Sequence, residues 1–392
     1  MRHLLLSLAA LFLLSAPSAS AKPLKVFILC GQSNMQGHAH VRTLPYVGMD
    51  PATAPLLKAI QGADGKPKVC KDVWISYLSR NGETKGQLTT GFGANKTKIG
   101  PELTFGIYMQ RRLKQPILII KTAWGGKSIN TDFRPPSAGP YKFNQSQLDR
   151  FKKQNKDLKE IQTKKAAATG RYYKMTVNHV KHVLSDIKRV YPGYDNNQGY
   201  ELAGFVWFQG WNDMVDRGTY PTRNQKGGYD AYSKVLADFI RDVRKDLKAP
   251  KLPFVIGVMG VGGPVKDYTK GRKRYAKIHQ NFRDAMAAPA KLAEFKGNVS
   301  AVLTEKYWDQ GLVTLREKDG QLRRQIRKLK KEKDLNRKQE RQALEALRKK
   351  TFSAKERKVM RIGASNAPYH YLGSAKIMAQ IGQGFAEAIP LK

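Results

Sequence analysis

Six short apolar runs, most of them apolar on both faces, recur along this chain and restrict its architecture more than any other feature. They are LKVFILC (24–30), VWISYL (73–78), PILIIKTA (116–123), GFVWFQG (204–210), FVIGVMG (254–260) and SAVLTEKYW (300–308). A strand with one face in water alternates apolar and polar residues, whereas a run apolar on both faces suits a strand buried in a parallel sheet. Between the runs lie amphipathic stretches at 102–113, 172–190, 229–247 and 275–288, and another at 372–388 follows the last run. Their period is that of helices packed on one side. Alternating strand and helix predict an α/β fold in three layers, α/β/α, around a central parallel sheet with right-handed crossovers.

Three segments stand outside this rhythm. Arg2 and His3 precede an apolar run from Leu4 to Leu14, and Ala19-Ser20-Ala21 forms a small-residue cleavage site. That pattern predicts a signal peptide cleaved after Ala21 and a secreted or periplasmic protein. No other run is long and apolar enough for a transmembrane segment, which leaves 22–392 as one domain. Residues 137–165 are polar and rich in lysine and glutamine. Residues 311–361 hold 19 basic and 7 acidic residues, net +12. The thin stripe of Leu322, Ile326, Leu329, Leu335, Leu344 and Leu347 makes this second segment a basic helical insertion, one long helix or a hairpin.

The whole chain carries a formal charge of +40, which bears on partners and not on fold. For an exported protein it favours an anionic polysaccharide or an envelope surface over a specific nucleic-acid role. An oxidising compartment permits one bridge, Cys30–Cys70. Against it, Cys30 ends a core strand, where free cysteine is a common small apolar residue.

Ligands of a parallel sheet gather at the carboxyl ends of its strands, and there the chemistry-bearing residues fall. GQSNM follows the first strand and holds Ser33; TAWGGKSIN follows the third and holds Gly125 and Gly126. QGWNDM follows the fourth and holds Asn212, and NAPYHYLG precedes the last helix with His370. A serine, backbone amides, a carboxamide and a histidine are what acyl transfer needs. Ser33 attacks, His370 takes its proton, and the amides of Ser33 and Gly126 with the Asn212 side chain hold the oxyanion. Gly125 is an alternative to Gly126. Gln32, Gln209, Trp124 and Trp211 flank these groups and are candidate substrate contacts, the tryptophans either stacking on a sugar ring or belonging to the core.

These four blocks, in this order, resemble the SGNH/GDSL hydrolase superfamily, and GQSNM resembles its sialate O-acetylesterase and acetylxylan-esterase-like branch. The resemblance implies a flavodoxin-like domain and a carbohydrate O-acetylesterase that uses no metal or organic cofactor. It assigns Ser33 as nucleophile, His370 as base, and Ser33, Gly126 and Asn212 as oxyanion donors. An acetylated carbohydrate, with an anionic polysaccharide favoured by the charge, is then the partner. One departure matters: the family's aspartate, three residues before the histidine, is Ala367 here. A backbone carbonyl of the 366–368 turn, Glu305 or Asp309 are the candidates to orient His370. The departure also keeps open a carbohydrate- or polyanion-binding protein on a catalytically impaired SGNH scaffold. His38 and His40 have no carboxylate or cysteine at ligand spacing and read as pocket lining or surface. The sequence leaves the oligomeric state unknown.

Overall fold

The computed structural model describes residues 22–391, and the signal peptide expected at 1–21 lies outside them. Seven strands form one sheet: β1 (Leu24–Gly31), β2 (Cys70–Ser79), β3 (Gly82–Leu88), β4 (Ile117–Ala123), β5 (Tyr200–Phe208), β6 (Phe254–Val258) and β7 (Val299–Leu303). Their order is β3-β2-β4-β1-β5-β6-β7, parallel throughout except for the β2–β3 hairpin. All seven residues of β4 are buried, as a doubly covered strand requires.

Helices cover both faces. On one lie α2 (Glu102–Leu113) and α9 (Ala375–Ala388), joined where the Thr104 hydroxyl donates to the Ala379 carbonyl at 2.8 Å. On the other lie α3 (Arg171–Ser185), α4 (Asp230–Asp246) and α5 (Ala276–Ala287). Neighbouring residues of β5 show the two layers, since side chains alternate across a strand. Trp207 packs on Phe239 of α4, while Phe208 packs on Phe385 of α9. Phe239 also meets Tyr173 and Phe205, so truncating it to alanine should cost about 3–5 kcal/mol.

The chain leaves β1 toward one side of the sheet, building β2, β3 and β4, then crosses to build β5, β6 and β7 on the other. Strand β1 is therefore the topological switch point, and its neighbours β4 and β5 flank the crevice where such sheets bind ligands.

Several expected boundaries move for physical reasons. Strand β3, with the sequence GETKGQL, is polar because it forms a solvated antiparallel edge. Helix α3 stops at Ser185 and a 3₁₀ turn, Ile187–Arg189, follows it. Strand β7 ends at Leu303, short of the predicted run, in the 3₁₀ turn Thr304–Tyr307. Helix α9 begins at Ala375, not 372, because Tyr371, Leu372 and Gly373 all have positive φ. Residues 310–362 fold as three helices, α6 (Gln310–Lys333), α7 (Arg337–Thr351) and α8 (Ala354–Ile362). The polar segment after β4 holds two short helices, Gln145–Lys153 and Leu158–Ala168. Among the described residues no helix is long and apolar enough to cross a membrane. Both cysteines are free thiols; the buried Cys30 lies against Thr176, and burial pushes its pKa up to about 12.

Candidate active site

Ser33 begins the four-residue helix α1 (Ser33–Gln36) directly beyond β1, 8% exposed. Its position depends on Gly31: a Cβ there would fall 2.2 Å from the Phe208 carbonyl oxygen. Only glycine lets the ends of β1 and β5 approach so closely. The far end of α1 is held by Lys121 of β4, whose ammonium donates to the carbonyls of Gln36 (2.9 Å) and Phe92 (2.8 Å) and pairs with Glu102 (2.7 Å). Both members of that ion pair are wholly buried, which makes it a fixed strut beneath the serine.

The Gly125–Gly126 turn runs beside Ser33. A Cβ on Gly125 would lie 3.8 Å from the Cβ of Ser33 and 3.0 Å from Gln36 Oε1, and Gly126 has φ +74°. Among the described residues, the backbone amides of Ser33, Gly125 and Gly126 find no hydrogen-bond acceptor. Donors left open at a helix start and a glycine turn form a site for a developing negative charge.

Asn212 lies in the short helix Trp211–Val215 that follows β5, and a buried network sets that segment. Gln32, 0% exposed, accepts at Oε1 from Gln209 Nε2 (3.2 Å) and from the amides of Gly210 (3.3 Å) and Asn212 (3.4 Å). Gln32 and Gln209 were expected to touch substrate. Both are buried, and neither lines the cleft. They orient Asn212 instead. Asp213, 1% exposed, ties the two loops together. Its carboxylate accepts from the amides of Ile129 (2.9 Å) and Asn130 (3.2 Å), from Gln209 Nε2 and from the Tyr220 hydroxyl (3.1 Å). Burial raises its pKa to about 6 although each of these donors opposes the rise.

His370 is oriented by a group the sequence did not single out. Its Nδ1 lies 3.0 Å from Oδ1 of Asn366. The amide N–H of Ala367 also donates to that oxygen, at 2.7 Å, and a backbone N–H can only donate, so the atom facing it is the oxygen. Nδ1 must then carry the proton and Nε2 the lone pair. The expected orienting carboxylates are engaged elsewhere: Glu305 pairs with Arg283, and Asp309 takes the Tyr46 hydroxyl and Lys376. The backbone after His370 is held tightly. Tyr371 and Leu372 have φ of 50° and 60°, a conformation that persists only when neighbours over-determine it. Here the Tyr371 hydroxyl donates to or accepts from Thr304 Oγ1 (2.7 Å) and accepts from the Gly260 amide (2.8 Å). The Leu372 carbonyl accepts from the amides of Ser365 and Asn366, both at 2.9 Å.

Ser33, Gly125, Gly126, Asn212, His370, Trp124 and Trp211 border one cleft of about 710 Å³. Among the described residues no hydrogen bond joins Ser33 to His370; in a protein without substrate such bonds are often long and tighten in the complex. Trp124 is 2% exposed and packs on Phe133 and Tyr172, a core position, whereas Trp211 stands partly exposed beside Tyr369. His38 stacks on His370 with ring centres 4.0 Å apart, and His40 caps the next turn. Burial first, and then the Lys98 ammonium, lowers the His370 pKa from 6.5 to about 4. His38 falls to about 3 through burial and the charges of His370, Lys98 and Lys121. Arg80, Lys98 and Lys127 border the cleft and no carboxylate does. It is a positive cavity with a neutral imidazole.

A buried serine at a strand end, open amides and an oriented imidazole are the parts that a serine acyl-transfer site uses. Residues 23–299 match the family described as carbohydrate esterase, sialic acid-specific acetylesterase, and the chain belongs to that family. The match includes Ser33, the glycine turn and Asn212, and ends before His370. No curated protein matches the chain. Among solved structures it is similar to a protein from Arabidopsis thaliana, at 17% identity and TM-score 0.38 over 71% of this chain and 85% of that one. It is also similar to a carbohydrate acetylesterase from Xanthomonas citri, at 14% identity and TM-score 0.38 over 71% of this chain and 50% of that one.

Proposed function

We propose that this chain is an exported serine esterase that removes O-acetyl groups from carbohydrate, secreted or periplasmic once the leader at 1–21 is cleaved. The observation that carries the reading is a single cleft shared by Ser33, the open amides and an imidazole whose lone pair is fixed on Nε2 by Asn366. Ser33 Oγ attacks the acetyl carbonyl carbon while His370 Nε2 takes its proton. The amides of Ser33 and Gly126, or Gly125 in its place, with the Asn212 carboxamide, hold the oxyanion. One such donor lowers the barrier by about 3 kcal/mol. Collapse of the adduct breaks the ester C–O bond, and the imidazolium gives its proton to the departing sugar hydroxyl. Water, deprotonated by the same imidazole, then attacks the acetyl-serine and releases acetate, returning the proton to Ser33.

The positive lining of the cleft favours an acidic sugar, and the three-helix insertion at 310–362 adds to that field. The test is acetate release from acetylated polysaccharides, with p-nitrophenyl acetate as a small ester. Ser33→Ala and His370→Ala should each abolish turnover in a folded protein, and the double variant should lose no more than either alone, since the pair acts as a unit. Comparable turnover in either single variant would falsify the assignment. Carbohydrate binding without any hydrolysis in the native protein would leave only the impaired-scaffold reading.

A further inference from the structure

A second cleft, of about 420 Å³, shares Trp211 with the first; Pro368 lines the second, and its neighbour Tyr369 lines the first. Tyr268, Tyr275 and Ile278 give it apolar walls, and Arg217, Arg223 and Arg272 border it with no carboxylate among its lining residues. Arg223 donates to the carbonyl of Met214, in the short helix that precedes its loop. Arg217 makes no ion pair among the described residues, and Arg272 reaches only Glu317, at 3.8 Å. Their charge is thus largely uncompensated. His279, which lines the same cleft, has its pKa lowered to about 4 by burial and then by Arg283, Arg272 and Arg223, as expected in a positive surrounding.

The apolar groups support the same conclusion. Val215 (43% exposed) and Tyr275 (38%) line the cleft, and Tyr369 (43%) stands next to Pro368. Apolar side chains exposed singly are ordinary, but two lining one cavity, with a third on the ridge that separates it from the first cleft, mark a contact surface. Aromatic faces beside arginines suit a ligand with an apolar face and an anionic edge. A pyranose bearing a carboxylate or sulfate has that form: its C–H face covers a ring, and guanidinium groups take the anion through paired hydrogen bonds.

We propose that this cleft is a subsite for an anionic sugar residue, adjoining across Trp211 the sugar whose acetyl group is cleaved at Ser33. The proposal rests on the esterase reading for the fate of the acetyl group, but on the cleft alone for what is bound. Carboxylate and sulfate share the recognition chemistry, so the ligand arms separate them.

The experiment titrates calorimetrically the full chain carrying Ser33→Ala with three trisaccharides: an oligouronate, its carboxyl-reduced neutral counterpart, and a sulfated form of that counterpart. One charged trisaccharide, which identifies the anion, should bind at least tenfold tighter than the neutral one. Arg217→Gln combined with Arg272→Gln should reduce that preference about tenfold. Arg217 is exposed and Arg272 partly so, and neither side chain makes a hydrogen bond among the described residues, so the fold should survive, as circular dichroism would check. Equal binding of charged and neutral sugars, no binding of either anion, or an unchanged preference in the double variant overturns the subsite. Because binding needs no turnover, anion-selective binding in a chain that hydrolyses no acetyl ester would uphold the subsite and sink the esterase reading. An active esterase without the preference would do the reverse.

Discussion

His370 Nδ1 and Asn366 Oδ1 are 3.0 Å apart, and the same oxygen takes the Ala367 amide at 2.7 Å. A neutral carboxamide therefore stands where an aspartate would otherwise face the imidazole. It fixes the tautomer and the ring, but it adds no charge to stabilise the imidazolium that the proposed attack by Ser33 would form. Asn366 is a positioning residue.

Asn366→Ala should lower kcat about 10- to 100-fold, about 1.4–2.7 kcal/mol in the barrier, with KM little changed. Asn366→Asp should restore turnover and move the acid limb of the pH profile upward, because a carboxylate favours the protonated imidazole. Rescue by aspartate with no shift in the limb would show that Asn366 does not face the base.

The pH profile of the native protein follows from the same geometry. The proposed base, His370, can accept a proton only when neutral, and burial with Lys98 lowers its pKa to about 4. A lowered pKa extends the neutral form toward acid. Activity should therefore hold through pH 5 and fall only near the lowered value, not near the ordinary histidine value of about 6.5. Lys98→Met removes one cause and should move the midpoint upward. The measurement is kcat/KM for a small ester against pH; a native midpoint at or above 6.5 would contradict this environment.

Asp213 offers a prediction about stability. Four donors end on its buried carboxylate, and Asp213→Ala leaves three of them, the amides of Ile129 and Asn130 and the Tyr220 hydroxyl, without an acceptor. The cost should be about 2–4 kcal/mol, read as a lower urea midpoint. Esterase activity should fall further than stability alone explains, because the Gly125–Gly126 turn and the Asn212 loop lose their common anchor. Normal activity in a destabilised variant would show that the loops hold their geometry independently.

The parts legible from sequence were those that local chemistry determines. Buried parallel strands are apolar on both faces, so β1, β4, β5 and β6 announced themselves, and Ser33, Gly125, Gly126 and Asn212 followed from lying at strand ends. What escaped depends on tertiary contact. Asn366 carries no charge, and the expected acid position was Ala367, one residue away. Glu305 and Asp309 looked available until Arg283, Tyr46 and Lys376 were brought against them by distant segments. Gln32 and Gln209 looked like substrate contacts because they neighbour the site, but the loops fold back and bond them to each other. Strand β3 is polar by virtue of its edge position, which no apolar pattern reveals.

The last prediction separates catalysis from charge, and the geometry of the insertion makes it practicable. Its two ends meet: a Cβ on Gly363 would fall 2.7 Å from Leu312 Cδ1. Leu312 and Val313 are buried, and Arg42 binds the Ala364 carbonyl at 3.1 Å, so both stubs are anchored on the domain. A short linker can replace 314–361, which hold all 19 basic and 7 acidic residues of the insertion. Leu322, Ile326 and Phe352 form its buried stripe. Arg316, Lys358 and Arg361 border a cleft lined by α6, α7 and α8 and make no ion pair among the described residues. Exposed charges steer a polyanion over roughly a Debye length, about 8 Å at physiological salt, and do little for a small neutral ester. The excised protein should keep its kcat/KM on p-nitrophenyl acetate. On an acetylated anionic polysaccharide it should lose kcat/KM, and the dependence on salt should flatten. The check is kcat/KM on both substrates across a salt series, with the fold verified by circular dichroism. Equal loss on both would mean that the insertion shapes the Asn366–His370 segment that follows it. Unchanged polysaccharide kinetics would mean that its charge serves only as a solvated surface.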